Sequence, residues 1–249
     1  MKHRKGYTLK NQAEDDRAAL YIYGDIMSDD EKGFYEFWGL GSSGVSPKSF
    51  RDALEAVGDK PLDIYINSDG GDVQAGLGII NILKRRKGET VGYIDGWAAS
   101  MAGLIFLACP ERHMPKGTFL MLHRPLIGYV SGNVDDVQKA LDYLTTVTNE
   151  SQDFIDSKVK DPDAVETVND NFINEHWYTA DEAADYFDIV LDAEDDDYKA
   201  VASIRNYKNI PAGLRRLMDQ ANGAPVVDEN KAALQRAKAL IAATEIIYS

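Results

Sequence analysis

Hydrophobic and polar positions along the chain switch between a period of two and a period near 3.6, and the switches outline strands followed by helices. From Ala18 the run Ala-Leu-Tyr-Ile-Tyr, closed by Gly24-Asp25, predicts a strand. Residues 28–47 are Gly- and Ser-rich around Phe34, Tyr35, Phe37 and Trp38, and predict an irregular connection. Ser46 as cap and Pro47 at the first helical position then open a short helix through Ala56. Leu62 to Asn67 reads as a strand, Ser68-Asp-Gly-Gly-Asp72 as a tight turn, and Val73 to Lys84 as a helix with Leu77, Ile80 and Leu83 on one face. Thr90 to Ile94 predicts the next strand and Asp95-Gly96 a turn. Ala98 to Ala108 then predicts an almost wholly apolar helix, and Phe119 to His123 a third strand of the series. Strand–turn–helix units in succession imply parallel strands with crossover helices, the strands buried on both faces.

After a glycine-rich loop (Gly128, Gly132), Val134 to about Lys158 predicts a long amphipathic helix, striped by Val137, Leu141, Leu144, Val147, Phe154 and Ile155. Thr179-Ala-Asp-Glu182 matches a capping box and predicts another helix, with Ile189-Val-Leu as a short strand after it. The acidic run Glu194 to Asp197 marks a boundary. Beyond it come Pro211, Gly213, Gly223 and Pro225, and a helix expected from Asn230 to about Ile246. The organisation expected is a polar lead-in over 1–17, one α/β domain over 18–192, and a tail or small helical appendage over 193–249.

Composition narrows the functional classes. The hydrophobic share is 44% and the charged share 27%, ordinary for a globular protein with a sizeable core. With 27 basic against 41 acidic residues the net charge is −14, which argues against a broad nucleic-acid surface. One cysteine, Cys109, rules out an internal disulfide framework and suits a reducing cytoplasm. Met1 to Lys5 is basic, but polar residues follow it rather than an apolar stretch, and no run approaches a membrane span. No two histidines, nor cysteine and histidine, stand at ligand spacing, so neither a metal nor another cofactor is expected.

Three segments carry candidate chemistry. In Gly96-Trp-Ala-Ala-Ser100-Met-Ala102 a serine with small neighbours stands at a helix start, where a substrate carbonyl can approach and the amide of Met101 can hydrogen-bond an oxyanion. A helix cap with a small packing face has the same appearance. In Asn67-Ser-Asp-Gly-Gly-Asp72 two glycines permit positive φ and close backbone approach, so their amides can supply a second oxyanion donor or line an extended substrate. No Gly-Lys-Ser/Thr follows, which argues against a phosphate loop. His123 ends an apolar strand, where a sheet presents a side chain to a cleft. His3 falls in the polar lead-in, His113 in a loop before Pro115, and His176 beside a candidate acid.

Taken in order, the strand–Gly-Gly turn, the Ala-Ala-Ser-Met helix start and the strand ending in histidine resemble the ClpP family of serine peptidases over about residues 18–192. The resemblance implies a ClpP/crotonase-type α/β fold of stacked strand–strand–helix repeats with a long projecting helix. It implies Ser100 as nucleophile and His123 as general base. The amides of Gly70 or Gly71 with Met101 become the oxyanion hole. Serine is inert at its own pKa, so an imidazole must take its proton and return it to the leaving amine. The family's triad aspartate precedes a Phe/Tyr–x–Ser/Thr-Ala segment; here the segment is Trp177-Tyr-Thr-Ala180 and the matching position is Glu175, with Asp170 as competitor. Glutamate serves in esterase triads, but is one methylene longer.

Asp69 stands where the family has proline, Ala102 where it has glycine, and Arg124 where it has glutamine. None of these removes a catalytic group, and the Gly44-Val-Ser-Pro-Lys-Ser-Phe50 lead-in, Gly71-Asp-Val-x-Ala-Gly76 and the extension beyond residue 192 resemble the ClpP-related head maturation proteases of tailed phages and prophages. That resemblance implies capsid and scaffold proteins as substrates, a ring-shaped homo-oligomer, no nucleic-acid or membrane partner, and a location in the bacterial or host cytoplasm or inside a procapsid. Three other readings compete: a housekeeping ClpP subunit working with an ATP-driven unfoldase, a crotonase-type acyl-CoA enzyme, and a degenerate peptidase retained as an assembly module.

Overall fold

The computed structural model describes residues 9–11, 17–39, 44–192 and 210. Its strands are β1 (Leu9–Asn11), β2 (Ala18–Tyr23), β3 (Leu62–Ser68), β4 (Thr90–Ala99), β5 (Glu111–Pro115), β6 (Phe119–Leu122), β7 (His176–Thr179) and β8 (Val190–Asp192). Its helices are α1 (Asp29–Phe37), α2 (Pro47–Val57), α3 (Val73–Arg85), α4 (Met101–Ala108), α5 (Val134–Asp156), α6 (Val165–Asn174) and α7 (Ala180–Tyr186). The strands form one sheet in the order β1-β2-β3-β4-β5-β8, with β6 pairing the end of β4 and β7 pairing β6. The pairs β2–β3, β3–β4, β4–β5, β4–β6 and β5–β8 are parallel, as the strand–helix succession requires; β1–β2 and β6–β7 are antiparallel. The fold is the α/β arrangement expected.

Strands β2 to β4 were expected to be buried on both faces, and this is corrected by their alternation. Leu20, Ile22, Ile64, Ile66 and Ile94 point into the main core, where α2, α3 and α4 cover them. The opposite face carries Tyr21, Tyr65 and Tyr93, which the parallel register places side by side with His113 of β5. Successive tyrosine rings stack at 5.0 Å, and Tyr93 meets His113 at 4.9 Å. Tyrosine tolerates this half-buried position because its ring packs while its hydroxyl reaches water. A row of like-shaped rings also penalises any slip of register, since one residue's shift sends every ring to the other face.

Two more expectations change. Residues 28–47 contain a helix, α1: Ser28 Oγ accepts the Glu31 amide at 3.1 Å, and Asp29, Asp30 and Glu31 fill the first turn. Its hydrophobic pattern is inverted, which hid it. Phe34, Phe37 and Trp38 are exposed, whereas Lys32 is buried with Nζ donating to the Gly44 carbonyl at 2.8 Å. Second, Asp95-Gly96 is no turn. β4 continues to Ala99, and the β3–β4 register moves from Ile66↔Ile94 to Ser68↔Ala98, a bulge that bends β4 away from β5 toward β6. Helix α4 therefore starts at Met101 rather than Ala98.

Helices α2, with its Ser46 cap, and α3 and strand β6, which stops at Leu122, fall where the pattern puts them, whereas β1, β5, α6 and β7 were not expected. Helix α5 is buried only toward its end, at Val147, Ser151 and Ile155, while Val134, Val137 and Leu141 project into solvent. A second apolar cluster (Trp97, Ala99, Phe119, Met121, Trp177) lies on the other side of β4, β6 and β7, with Ile210 packed against it. The helix expected at 230–246 lies outside the described residues.

Phe50 anchors α2 in the main core with no exposed surface. Phe50→Ala is expected to destabilise the fold by about 3–5 kcal/mol, read as a lower midpoint in urea unfolding with an unchanged slope.

Candidate active site

Strand β4 passes into α4 through a single residue. Ser100 has φ 55° and ψ −124°, a conformation that a non-glycine residue adopts at a cost on the order of 1–3 kcal/mol. Its amide donates to the Met121 carbonyl at 2.9 Å, which holds the turn against β6. Although Ser100 is the cap of α4, its hydroxyl makes no capping bond. Oγ instead lies 2.8 Å from Nε2 of His123. The chain thus spends conformational energy to aim this hydroxyl away from its own helix.

His123 is the residue immediately after β6, its side chain only 11% exposed. Nε2 faces Ser100 and Nδ1 lies 3.8 Å from Oε2 of Glu175. The antiparallel register explains why. Leu122 pairs with His176 in β6–β7, so one step further brings His123 opposite Glu175. Glu175 ends α6 with φ 58°, which turns the chain sharply into β7. The distance is that of an ion pair and exceeds a hydrogen bond, and catalytic contacts in an unliganded site commonly tighten when substrate binds. Asp170 is exposed on α6, where its carbonyl holds the side-chain amide of Asn174 at 2.8 Å.

The two glycines play different parts. Gly70 has φ 85°, and a Cβ there would lie 2.6 Å from the Ala99 carbonyl and 2.8 Å from Cβ of Ser100. Only glycine lets this loop touch the backbone around Ser100. The Gly70 amide is taken up by Ser68 Oγ at 3.1 Å, and its carbonyl accepts from the Ile26 amide at 2.8 Å. In the hydrogen-bond pattern of the described residues, the amides of Gly71 and Met101 are left to face a ligand. Of the two glycines the resemblance proposed, Gly71 is therefore the one with a donor to offer. Met101 adds the positive end of the α4 dipole. Beside Ser100 and His123 lies a recess walled by Val73, Met101, Leu104, Leu122, Pro125 and Phe172.

The remaining candidates are engaged elsewhere. His113 is on β5, not in a loop, and its two nitrogens lie 2.8 Å from Glu111 and 2.8 Å from Asp192. His176 Nε2 lies 2.7 Å from Glu182, which is why Glu182 does not turn back to close the capping box with Thr179. Cys109 is fully buried, and burial pushes its thiol up to about 12, out of reach as a nucleophile. Among the described residues no group of three or more His, Cys, Asp or Glu gathers as a metal site, and no helix is long and apolar enough to cross a membrane.

A strained serine on a strand–helix junction, an imidazole on its hydroxyl, a carboxylate behind the imidazole and two free amides is the arrangement serine hydrolases use. Comparison with known proteins agrees. The Clp protease family model matches residues 53–191, a span containing Ser100, His123 and Glu175, and the chain belongs to that family. It is 33% identical over 139 residues to "ATP-dependent Clp protease proteolytic subunit 3" of Rhodococcus jostii, covering 53% of this chain and 66% of that protein. A Bdellovibrio bacteriovorus proteolytic subunit is 39% identical over 84 residues, 32% of this chain and 40% of that protein. One from Leuconostoc citreum is 27% identical over 186 residues, 74% of this chain and 86% of that protein. The first two alignments thus span less than two thirds of those relatives.

Burial holds the His123 imidazole below its ordinary pKa of 6.5, because the charged form loses its hydration. An imidazole acts as a general base only when neutral, so any activity that depends on His123 in that role is lost as pH falls through this lowered value. The acid limb of kcat/KM is expected below pH 6.5, and a limb at or above 6.5 would contradict the desolvated histidine. The same shift adds folding stability above 6.5 that is lost as pH falls through the lowered folded value, where both states are protonated.

Proposed function

We propose that the protein is a serine endopeptidase in which Ser100 attacks the scissile carbonyl, His123 is the general base and acid, Glu175 orients His123, and Gly71 with Met101 forms the oxyanion hole. The observation that carries this reading is the 2.8 Å contact between Ser100 Oγ and His123 Nε2 at a strained strand–helix junction. For Nε2 to accept the Ser100 proton, His123 must carry its own proton on Nδ1, the nitrogen that faces Glu175. Attack puts negative charge on the carbonyl oxygen, to which the two free amides donate. The imidazolium then returns its proton to the leaving amine, and water repeats the sequence on the acyl-serine. Apart from Ser151, the walls of the recess beyond Ser100 and His123 are apolar, which favours an apolar side chain next to the scissile bond.

The relatives are named proteolytic subunits of ATP-dependent Clp proteases, which supports a ClpP-type subunit over a head maturation protease. Protein chains delivered by an ATP-driven unfoldase are then the substrates. The head protease reading rests on the segments Gly44–Phe50 and Gly71–Gly76 and on the chain beyond 192; cleavage of a capsid or scaffold protein without an unfoldase would favour it. We assign the peptidase unit to residues 18–192, with 193–249 as an addition to it.

Ser100→Ala is expected to lose several orders of magnitude in peptide hydrolysis while keeping its circular dichroism spectrum. A fluorophosphonate should label Ser100 in the full chain and in a chain cut after Asp192; labelling at another residue refutes the assignment. Glu175→Gln should cut turnover substantially and Glu175→Asp should restore part of it, with Asp170→Asn as the silent control. The apolar first half of α5, exposed at Val134, Val137 and Leu141, calls for a partner copy, so the protein is assigned a ring-shaped homo-oligomer. Light scattering should give a multiple of 27.6 kDa, and a monomer at working concentration counts against it.

A further inference from the structure

The oxyanion donors stand on two separate pieces of chain: Gly71 on the loop after β3, and Met101 after β4. Stabilising one oxygen requires both amides within a few tenths of an ångström of their working positions. The regular ladder does not ensure this, because the β3–β4 register shifts between Ile66 and Ser68, just where the loop leaves the sheet. On its far side the loop is fastened to the end of β2: Ser68 Oγ donates to the Gly24 carbonyl at 2.6 Å, and the Ile26 amide donates to the Gly70 carbonyl at 2.8 Å. On the near side, toward the serine, a side-chain bond spans the bulge. Asp69, only 7% exposed, accepts from the indole Nε1 of Trp97 at 2.7 Å.

We infer that Asp69 is a positioning residue for the oxyanion hole, acting through Trp97. Asp69 adjoins Gly70, and Trp97 lies three residues before Ser100 on the same strand. The indole itself is fixed, 2% exposed among Ala99, Phe119, Met121 and Trp177. A carboxylate this buried persists only where donors meet it, and a charge-assisted bond to an immobile ring is shorter and more directional than one to a flexible side chain. The bond therefore ties the Gly71 donor to the strand that delivers Ser100 and Met101. A proline at position 69 would stiffen the same loop through its ring; the carboxylate stiffens it by attachment. What the attachment needs is an acceptor oxygen at that place. The negative charge is not required.

This inference rests on the proposed peptidase reading, so the experiment first compares wild type with Ser100→Ala on a fluorogenic peptide amide with an apolar residue before the cut. Turnover that survives Ser100→Ala overturns the reading of the site and the inference with it. With that reading established, Asp69→Ala and Trp97→Phe should each lower kcat about tenfold to a hundredfold with KM nearly unchanged, as expected for donors displaced by a fraction of an ångström to 1 Å. Asp69→Asn, which keeps an acceptor oxygen, should stay within about threefold of wild type. The double variant should be no worse than the poorer single one, since both remove the same bond. Unchanged kcat in either single variant, a defect confined to KM, or losses that multiply in the double variant would each overturn it. Should Asp69→Ala fail to fold, Trp97→Phe against Asp69→Asn gives the same decision.

Discussion

The hydrogen bond from the Ser100 amide to the Met121 carbonyl is the contact around which the site is organised. It holds the end of β4 against β6 at the residue where the backbone must leave strand geometry, and it does so with φ at 55°. A serine left to itself would relax to negative φ and cap its own helix. Here it cannot, because α4 is buried along its whole length and Ala98 and Ala99 are paired with neighbouring strands of the sheet. The strain is thus maintained by packing on both sides, and its consequence is a hydroxyl presented to solvent and to His123.

The strand that accepts this bond also leads directly into His123. His123 follows Met121 by two residues, so Ser100 and His123 stand at the end of one strand pair. The carboxylate is brought by the next pair, since the β6–β7 register sets Glu175 opposite His123. The groups at positions 100, 123 and 175 each stand one residue beyond the end of a strand, and two adjacent ladders bring those ends together. Sites supported in this way hold geometry better than sites built on mobile connections. The distance of 3.8 Å at the Glu175 end is the loosest part of the set.

Strand β4 makes this possible by changing partners. Its first part pairs with β5 and its last part with β6, and the bulge at the β3–β4 step takes up the bend. One face of the forked sheet joins the main core, while the other carries the smaller cluster of Trp97, Phe119 and Trp177. Burial on both sides also excludes water from His123 and lowers its pKa, so the packing that shapes the site sets its chemistry as well.

Local pattern and chemistry were enough to determine much of this protein. The Ser46-Pro47 helix start, the apolar face of α3, the wholly apolar α4 and the Gly-Gly turn each follow from interactions within a few residues. Ser100 and His123 were legible only together: each alone has the look of a helix cap or a structural histidine, and the order of the Gly-Gly turn, the Ala-Ala-Ser-Met start and the strand-end histidine carried the family resemblance. What depends on distant pairing was not legible. Helix α1 escaped because its aromatic residues face outward and its lysine inward, and Asp95-Gly96 read as a turn because a bulge uses the same residue types. Strand β7 has only four residues, too few for a period to show, yet its register decides that Glu175 rather than Asp170 faces the imidazole. Pairing likewise distinguishes the two glycines, because Ser68 takes up the Gly70 amide. It also gave Asp69 a partner twenty-eight positions away in the chain. A sequence specifies which groups are present and how each short segment prefers to fold. Which of them meet is a property of the pairing between segments, where hydrogen bonds and packing far apart in the chain outweigh the local preference.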